Sequence, residues 1–87
     1  MYEWDEAKRL ANLAKHGVDF SDMERFDWAS CQYLRTEIVD YEQRDTLLGM
    51  IELELYVVVI TEREENTTRV ISMRRANRFE TRMWNNE

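Results

Sequence analysis

The chain has no proline, two glycines, one cysteine and one histidine among its 87 residues. A single cysteine excludes an intrachain disulfide, and no set of cysteines and histidines has the spacing of a metal site. No apolar run is long enough to cross a membrane and none resembles a signal peptide, so we expect a cytoplasmic protein without membrane contact. Glycine-rich phosphate loops and the Gly-x-Ser-x-Gly motif are also absent, and we expect no metal and no cofactor.

Composition nevertheless favours a folded domain. Hydrophobic residues make up 44% of the chain and charged residues 34%, which is typical of a globular protein rather than a disordered one. We expect one small domain, residues 1–87, with a modest core that a partner subunit would help to stabilise. The net charge of -6 has the wrong sign for holding nucleic acid by a bulk field, so any contact with RNA must be local.

Positive charge is concentrated near the C-terminus. Between residues 69 and 82 a single acid, Glu80, accompanies five arginines: Arg69, Arg74, Arg75, Arg78 and Arg82. A basic edge on an acidic body binds a phosphate or docks an acidic segment of a partner, and composition does not separate the two.

The segment from residue 55 to 75 predicts a hairpin at the centre of the fold. The β-branched run in Leu55–Thr61 suits a mid-sheet strand buried on both faces, and a polar turn separates it from a second strand, Thr67–Arg74. Regular alternation places Arg69 on the same face as Met73, and Val70 on the opposite face with Arg74. We expect arginines from distant parts of the chain to converge at one margin of the sheet, facing a polyanion.

Two helices are predicted before the sheet. Asp5 is a typical N-cap and Gly17 a typical C′ residue for the first helix. Its narrow apolar stripe consists of Ala7, Leu10, Ala11, Leu13 and Ala14. Ser21 and Glu24 form the pattern of a capping box for a short second helix, whose Met23, Phe26 and Trp28 suit core positions.

Two weaker strands and a last helix complete the predicted fold. The strands are Cys31–Val39 and Arg44–Ile51, and Gly49 within the second indicates a bulge or a close backbone approach. Cys31 suits a packed small hydrophobe better than a nucleophile. The segment from Ala76 to Trp84 has helical spacing of Phe79 and Met83. The predicted fold is α+β, a small antiparallel sheet of three to four strands with two N-terminal helices and one C-terminal helix.

Candidates for chemistry are few. Metal-independent cleavage of RNA needs a base for the 2′-hydroxyl, a group that stabilises the phosphorane charge and an acid for the leaving oxygen. Arginines suit the second task, and His16 or Glu62 suit proton transfer if the fold brings them within reach. The competing interpretations are that Lys15 and His16 only complement the helix dipole, and that Glu62 and Arg63 form a solvated rim.

Two separated signatures resemble a known family. The start is Trp-Asp-Glu-Ala-Lys at residues 4–8 with Lys-His-Gly at 15–17, and the finish is Arg-x-Ile-Ser-x-Arg-Arg-Ala at 69–76. Together with Asn12, Phe20, Arg44, Gly49 and Glu80 they are similar to the BrnT toxins of type II toxin-antitoxin modules. The resemblance implies a RelE-like fold, a ribonuclease that inhibits translation, and a BrnA-type antitoxin that represses the operon, with operator DNA contacted only through the antitoxin, in a two-plus-two heterotetramer.

The site residues predicted from the resemblance and from the residues themselves fall into two groups. The catalytic candidates are His16, Arg44, Glu62, Arg63, Arg74 and Arg75. The RNA-binding candidates are Lys15, Arg69, Arg78 and Arg82. The alternative is a catalytically weak or inactive module that still binds its antitoxin and acts in operon autoregulation, and a purely structural interaction domain is the third interpretation.

Overall fold

A computed structural model describes the whole chain, Met1–Glu87, as an α+β fold. The elements in chain order are β1 (Tyr2–Glu3), α1 (Glu6–His16), a 3₁₀ helix (Phe20–Arg25), β2 (Gln32–Val39), β3 (Glu42–Ile51), β4 (Glu54–Arg63), β5 (Thr67–Arg75) and α2 (Arg78–Trp84). The fold class is confirmed, but the counts were wrong. The sheet has five strands rather than three or four, and the second N-terminal helix is a 3₁₀ helix.

The sheet has the order β1-β5-β4-β3-β2, so β4 lies in the middle as predicted. The β4–β5 hairpin and the β2–β3 and β3–β4 pairs are antiparallel. The sheet is mixed because β1 runs parallel to β5, where Tyr2 pairs with Thr68 and Glu3 with Arg69. This two-residue strand leaves the rest of the β5 edge open to other partners.

A bulge in β5 overturns the predicted faces of its first half. Val59 pairs with Ser72 but Ile60 pairs with Val70, so Ile71 is an extra residue that resets the alternation. Val70 therefore shares a face with Met73, and it is buried like its partner Ile60. Arg69 moves to the opposite face, the one that carries Arg74.

The main core lies on one face of the sheet, under α1 and the 3₁₀ helix. Its members include Val18, Phe20, Met23, Phe26, Leu47, Val58, Ile60, Val70 and Met73. Leu48 and Val57 pair across β3 and β4 and are buried on the opposite face, so the prediction that the central strand is buried on both sides is confirmed. Cys31 packs against the main core, and burial raises the pKa of its thiol, which is consistent with an inert side chain.

The N-terminal helix has the predicted ends and turns a polar side toward the rest of the chain. Asp5 caps it by accepting a hydrogen bond from the Lys8 backbone N–H, and Gly17 ends it at φ 69°. The alanines of its stripe are exposed and so are Leu10 and Leu13, whereas the polar Asn12 is buried. The apolar stripe of α1 therefore faces solvent rather than the core.

Two further details differ around the 3₁₀ helix. Its cap is Asp19, whose carboxylate accepts a hydrogen bond from the Ser21 N–H, so the predicted Ser21–Glu24 capping box is not formed. Met23 and Phe26 are core residues as expected, but Trp28 is exposed and rests its ring edge against Phe26. Both α1 and α2 fall short of the length and hydropathy that a membrane span requires.

Candidate functional site

Asn12 ties the N-terminal signature to the C-terminal one. Its Nδ2 donates to the carbonyl oxygen of Met73 at 2.8 Å, and the Met73 N–H donates back to Oδ1 at 3.2 Å. A further bond runs from Nδ2 to the Val18 carbonyl. These bonds satisfy the β5 backbone beyond the end of β1, as a paired strand would. They hold α1 beside the second half of β5.

This attachment sets the position of His16. Glu3 pairs with Arg69, and Asn12 is bonded to Met73, four residues further along β5. The segment from Glu3 to Asn12 therefore runs in the same direction as β5. His16 is on the same helix face as Asn12, about 6 Å further along. Two strand residues span about the same distance, which places His16 near the level of Arg75. Gly17 ends the helix immediately afterwards.

Arg74 and Arg75 point to opposite faces of the sheet, because Arg74 pairs with Val57 and Arg75 with Tyr56. Nη1 and Nη2 of the Arg74 guanidinium each donate to one carboxylate oxygen of Glu80 at 2.8 Å, and this contact lowers the pKa of that carboxyl. The same carboxylate accepts the Asn77 N–H in a capping box that starts α2. Arg74 therefore fixes the helix that follows the strand.

Arg75 is held more loosely. Its Nε donates to the Glu54 carboxylate across the end of the β3–β4 hairpin, and both side chains are more than half exposed. An exposed pair of this kind is screened by water and contributes little to stability, so a stronger anion can replace the carboxylate. Arg75 is thus available to a ligand in a way that Arg74 is not.

Most other basic side chains are also in ion pairs. Eight of the twelve lysines and arginines lie within 4 Å of a carboxylate. The remaining four are Lys8, Lys15, Arg78 and Arg82, all on α1 or α2. Arg78 comes three residues after Arg75, and Arg82 follows one helical turn later. We call the group Lys15, His16, Arg75, Arg78 and Arg82 the basic corner.

Three predicted arginines lie at the other end of the sheet. Arg44 and Arg63 both bind Glu42, each at 3.2 Å, and Arg69 binds Glu3 at 2.6 Å. Arg69 is six residues from Arg75 along β5, a separation of about 20 Å. The expected convergence of all the arginines at one margin was therefore wrong. The structure divides them between two ends of the sheet, and those at the far end are neutralised.

Glu62 is also remote from His16. It lies opposite Thr68, whose hydroxyl donates to its carboxylate, near the start of β5. It lines an open depression of about 520 Å³ whose charged residues are Asp40, Glu42, Asp45, Glu62 and Arg63. A depression with four carboxylates and one cation repels a phosphate, so the structure separates the two predicted proton carriers.

Sequence reasoning missed the residues that organise the corner. Asn12 entered only through the family resemblance, and nothing in the spacing assigned acids to Arg74 and Arg75. The one available signal was polar: Arg9, Asn12 and His16 recur at helical spacing, and these are the less exposed positions of α1. Hydrophobic periodicity does not reveal a helix side that contacts a strand edge through polar residues.

Comparison with known proteins identifies the family. A sequence model described as "Ribonuclease toxin, BrnT, of type II toxin-antitoxin system" matches residues 4–80, most of the chain. The chain belongs to the BrnT family. The crystal structure of the Brucella abortus ribonuclease toxin BrnT is similar, with a TM-score of 0.71 and 35% identity over 90% of this chain and 99% of that one. No match was found among curated proteins.

The family match covers most residues of the basic corner. It contains Lys15, His16, Arg75 and Arg78, but it ends at Glu80, so Arg82 lies outside it. A type II toxin-antitoxin family implies an antitoxin partner for this BrnT-family chain. Three cations of the basic corner, Lys15, Arg78 and Arg82, have no carboxylate within 4 Å, and Arg75 has only the exposed Glu54.

Proposed function

We propose that this BrnT-family chain is a ribonuclease that cuts RNA at the basic corner and so inhibits translation. The observation that carries the proposal is the distribution of ion pairs. On an acidic protein, the cations without a carboxylate partner are confined to α1 and α2, and the only histidine is the last residue of α1. The electrostatic potential is therefore expected to be positive at the corner, although the protein as a whole is negatively charged.

The proposed chemistry uses side chains alone. His16 accepts the proton of a ribose 2′-hydroxyl, and the freed oxygen attacks the adjacent phosphorus. Arg75 releases Glu54 and binds the phosphate instead. Its guanidinium donates to two phosphoryl oxygens and stabilises the phosphorane charge. The 5′-oxygen leaves with a proton from the imidazolium or from water, giving a cyclic 2′,3′-phosphate and a 5′-hydroxyl. Lys15, Arg78 and Arg82 bind neighbouring phosphates.

The remaining predicted residues take other roles in this proposal. Arg74 positions α2 through Glu80 and is a positioning residue rather than a catalytic one. Arg44, Arg63 and Arg69 stabilise the far end of the sheet through Glu3 and Glu42, and Glu62 stays outside the site. The corner is thus smaller than the set expected from the sequence.

The partner is proposed to be a BrnA-type antitoxin in a two-plus-two assembly in the cytoplasm, with operator DNA contacted only by the antitoxin. In such an assembly an antitoxin dimer would join the two toxin chains. Metal independence, RNA binding and the RelE-like description of the fold belong to the same proposal.

A second function is favoured by one observation. Arg75 and every arginine of the sheet are bound to carboxylates, and the net charge is -6. Because carboxylates neutralise the arginines of the sheet, the chain suits an inactive module that still binds its antitoxin and acts in autoregulation. Activity of the purified protein separates the two functions.

The experiment is cleavage of a defined single-stranded RNA by purified protein in EDTA. We expect the wild type to produce fragments that end in a cyclic phosphate, His16→Ala to lose on the order of 100-fold in rate, and Arg75→Gln to lose a similar factor. Arg63→Gln is the matched control, an arginine in an ion pair at the far end, and should retain full activity. Wild-type protein that leaves the RNA intact would support the inactive module.

A further inference from the structure

The sheet has one covered edge and one open edge. At the β5 edge, β1 pairs with the first residues of β5, and Asn12 bonds the backbone further along. At the other edge, β2 has β3 as its only neighbouring strand, and its backbone bonds no other segment of the chain. The five residues Arg35–Val39 pair with β3 in unbroken register. A regular open edge of this kind can accept another strand.

The turn after β2 shows which backbone groups of this edge are free. Both residues of the turn have positive φ angles, 51° and 65°, as in a type I′ turn. In such a turn the Val39 carbonyl accepts the Glu42 N–H, so the backbone groups of Val39 point toward β3. Because this direction alternates along an antiparallel pair, Thr36 and Ile38 point their N–H and C=O groups away from β3. Both residues are exposed.

The side chains of this edge carry one charge of each sign. Arg35 and Glu37 lie on the same face of β2 and form an ion pair at 3.1 Å, in which both side chains are more than half exposed. Water screens such a pair, so either charge can bind another partner at little cost. Ile38 is 69% exposed. Lysine and proline, which commonly keep edge strands unpaired, are both absent from β2.

One antiparallel register of β2 with a second copy of itself pairs these charges. In a two-fold pair of identical strands, one residue lies opposite its own counterpart. If that residue is Thr36, Arg35 lies opposite Glu37 of the second copy, and this pair occurs twice. A pair centred on Arg35 or Glu37 places like charges opposite each other, and one centred on Ile38 leaves both charges without a charged partner. Thr36 also has the free backbone groups that a hydrogen-bonded central pair requires.

The net charge of -6 on each copy opposes association, but this register does not bring like charges together. Asp40, the acid nearest to the end of β2, would lie opposite Gln32 of the second copy. At about 150 mM salt the screening length is about 8 Å, so repulsion between the more distant parts of the two copies is weak. The basic corner stays open, because β5 lies three strand spacings, about 14 Å, from β2.

We infer that β2 is a self-association surface, at which two copies of this chain pair antiparallel about Thr36 and join their five-stranded sheets edge to edge. The N–H and C=O groups of Thr36 bond their counterparts, and Arg35 forms an ion pair with Glu37 of the other copy. Ile38 lies opposite Leu34 and loses contact with water. The contact is small, so the dimer forms only at high protein concentration. The inference does not depend on RNA cleavage.

Charge reversal tests both the surface and the register. The measurement is sedimentation equilibrium of the full-length protein over a wide concentration range in about 150 mM salt. The wild type should pass from the 10.6 kDa monomer to a dimer as its concentration rises. Arg35→Glu and Glu37→Arg each place like charges opposite each other, and each should weaken self-association at least about tenfold. Lys8→Glu is the matched control, the same charge change at an exposed position of α1, and should associate like the wild type.

Two further samples test the pairing itself. The double variant Arg35→Glu, Glu37→Arg restores both ion pairs and should associate within about threefold of the wild type. A mixture of the two single variants, one of them labelled with a fluorophore at its N-terminus, should form a heterodimer that neither variant forms alone, because each Arg then faces a Glu. The thermal unfolding midpoint of every variant shows whether it is folded.

Several results would overturn the inference. A wild type that stays monomeric at every concentration does so, and so does a dimer that both single variants form unchanged, which would place the contact elsewhere, such as on the exposed apolar residues of α1. Folded single variants that form no heterodimer when mixed exclude the register. If the wild type is monomeric and Arg35→Glu weakens binding of the antitoxin, the edge belongs to the antitoxin instead. A wild type that dimerises as expected but cuts no RNA contradicts only the nuclease proposal.

Discussion

The ring of Phe26 occupies the space in which a side chain at Gly49 would begin. A Cβ at position 49 would lie 2.7 Å from Cε1 of that ring and closer still to Cζ. Phe26 is buried and forms an isolated bridge with Ile51, so the ring has little room to withdraw. The glycine in the middle of β3 is therefore a packing requirement, and the close approach predicted from the sequence is confirmed.

Substitution of Gly49 should destabilise the fold through this contact. We expect Gly49→Ala to lower the free energy of unfolding by about 1–3 kcal/mol, despite the smaller entropy of the unfolded chain. Urea denaturation measures the change. In the double variant with Phe26→Leu the penalties should be less than additive, since the shorter side chain leaves room for the methyl group. Strict additivity would contradict this explanation.

Asn12 should prove essential to the attachment of α1. Asn12→Ala removes three hydrogen bonds from a side chain that is 8% exposed and leaves the Met73 backbone unpaired, so we expect a loss of about 2–4 kcal/mol in unfolding free energy. Asn12→Asp should be at least as harmful, because a carboxylate would face two carbonyl oxygens. Lys8→Ala, at an exposed position of the same helix, should stay within about 0.5 kcal/mol. Equal losses at both positions would show that helix propensity, rather than the anchor, is responsible.

Local signals in the sequence predicted where the helices and strands lie along the chain. Long-range contacts determine which side of each faces the core. The β-branched run of β4 and the caps Asp5 and Gly17 depend on neighbouring residues, so they could be read directly. The bulge at Ile71 could not, because it arises from the register between two strands. The orientation of α1 could not be read either, because it is set by the bonds between Asn12 and the distant Met73, which leave the apolar residues of the helix exposed.

The site was predictable in kind but not in extent. Lys15, His16 and Arg75 were singled out by residue type; Arg75 ends β5, and the Asn12–Met73 bonds attach α1, which carries Lys15 and His16, to the second half of that strand. Arg44 and Arg63 share the same chemistry, yet Glu42 neutralises both at the other end of the sheet. Sequence gives the number of arginines, whereas only the strand order shows which of them face an acid.

The ion pair between Arg74 and Glu80 should make stability depend on pH. The hydrogen bond from Arg74 lowers the pKa of Glu80 below its ordinary value of 4.5, so the folded state binds this proton less tightly than the unfolded state does. The stabilisation is complete above about pH 4.5 and is lost as pH falls through the folded pKa. Glu80→Gln keeps the capping geometry, and we expect it to cost about 0.5–1 kcal/mol at pH 7 and progressively less below pH 4.5.

Urea denaturation of the wild type and Glu80→Gln at pH 7, 5, 4 and 3 measures this difference. Glu24→Gln is the control, since Glu24 is exposed and has no ion-pair partner, and its effect should not vary with pH. If the difference in unfolding free energy between wild type and Glu80→Gln is the same at pH 3 as at pH 7, the amide disturbs packing and the charge contributes nothing.

Salt dependence should show which cations contact RNA. Each phosphate contact to a single strand contributes about -0.7 to the slope of log affinity against log salt. We therefore expect Arg78→Gln and Arg82→Gln each to reduce the magnitude of the slope by about 0.7 in fluorescence titrations with a short RNA. Arg69→Gln removes the same charge at the far end, where the guanidinium already faces Glu3, and should leave the slope unchanged. If Arg69→Gln changes the slope and Arg78→Gln does not, RNA lies across the sheet rather than on the basic corner.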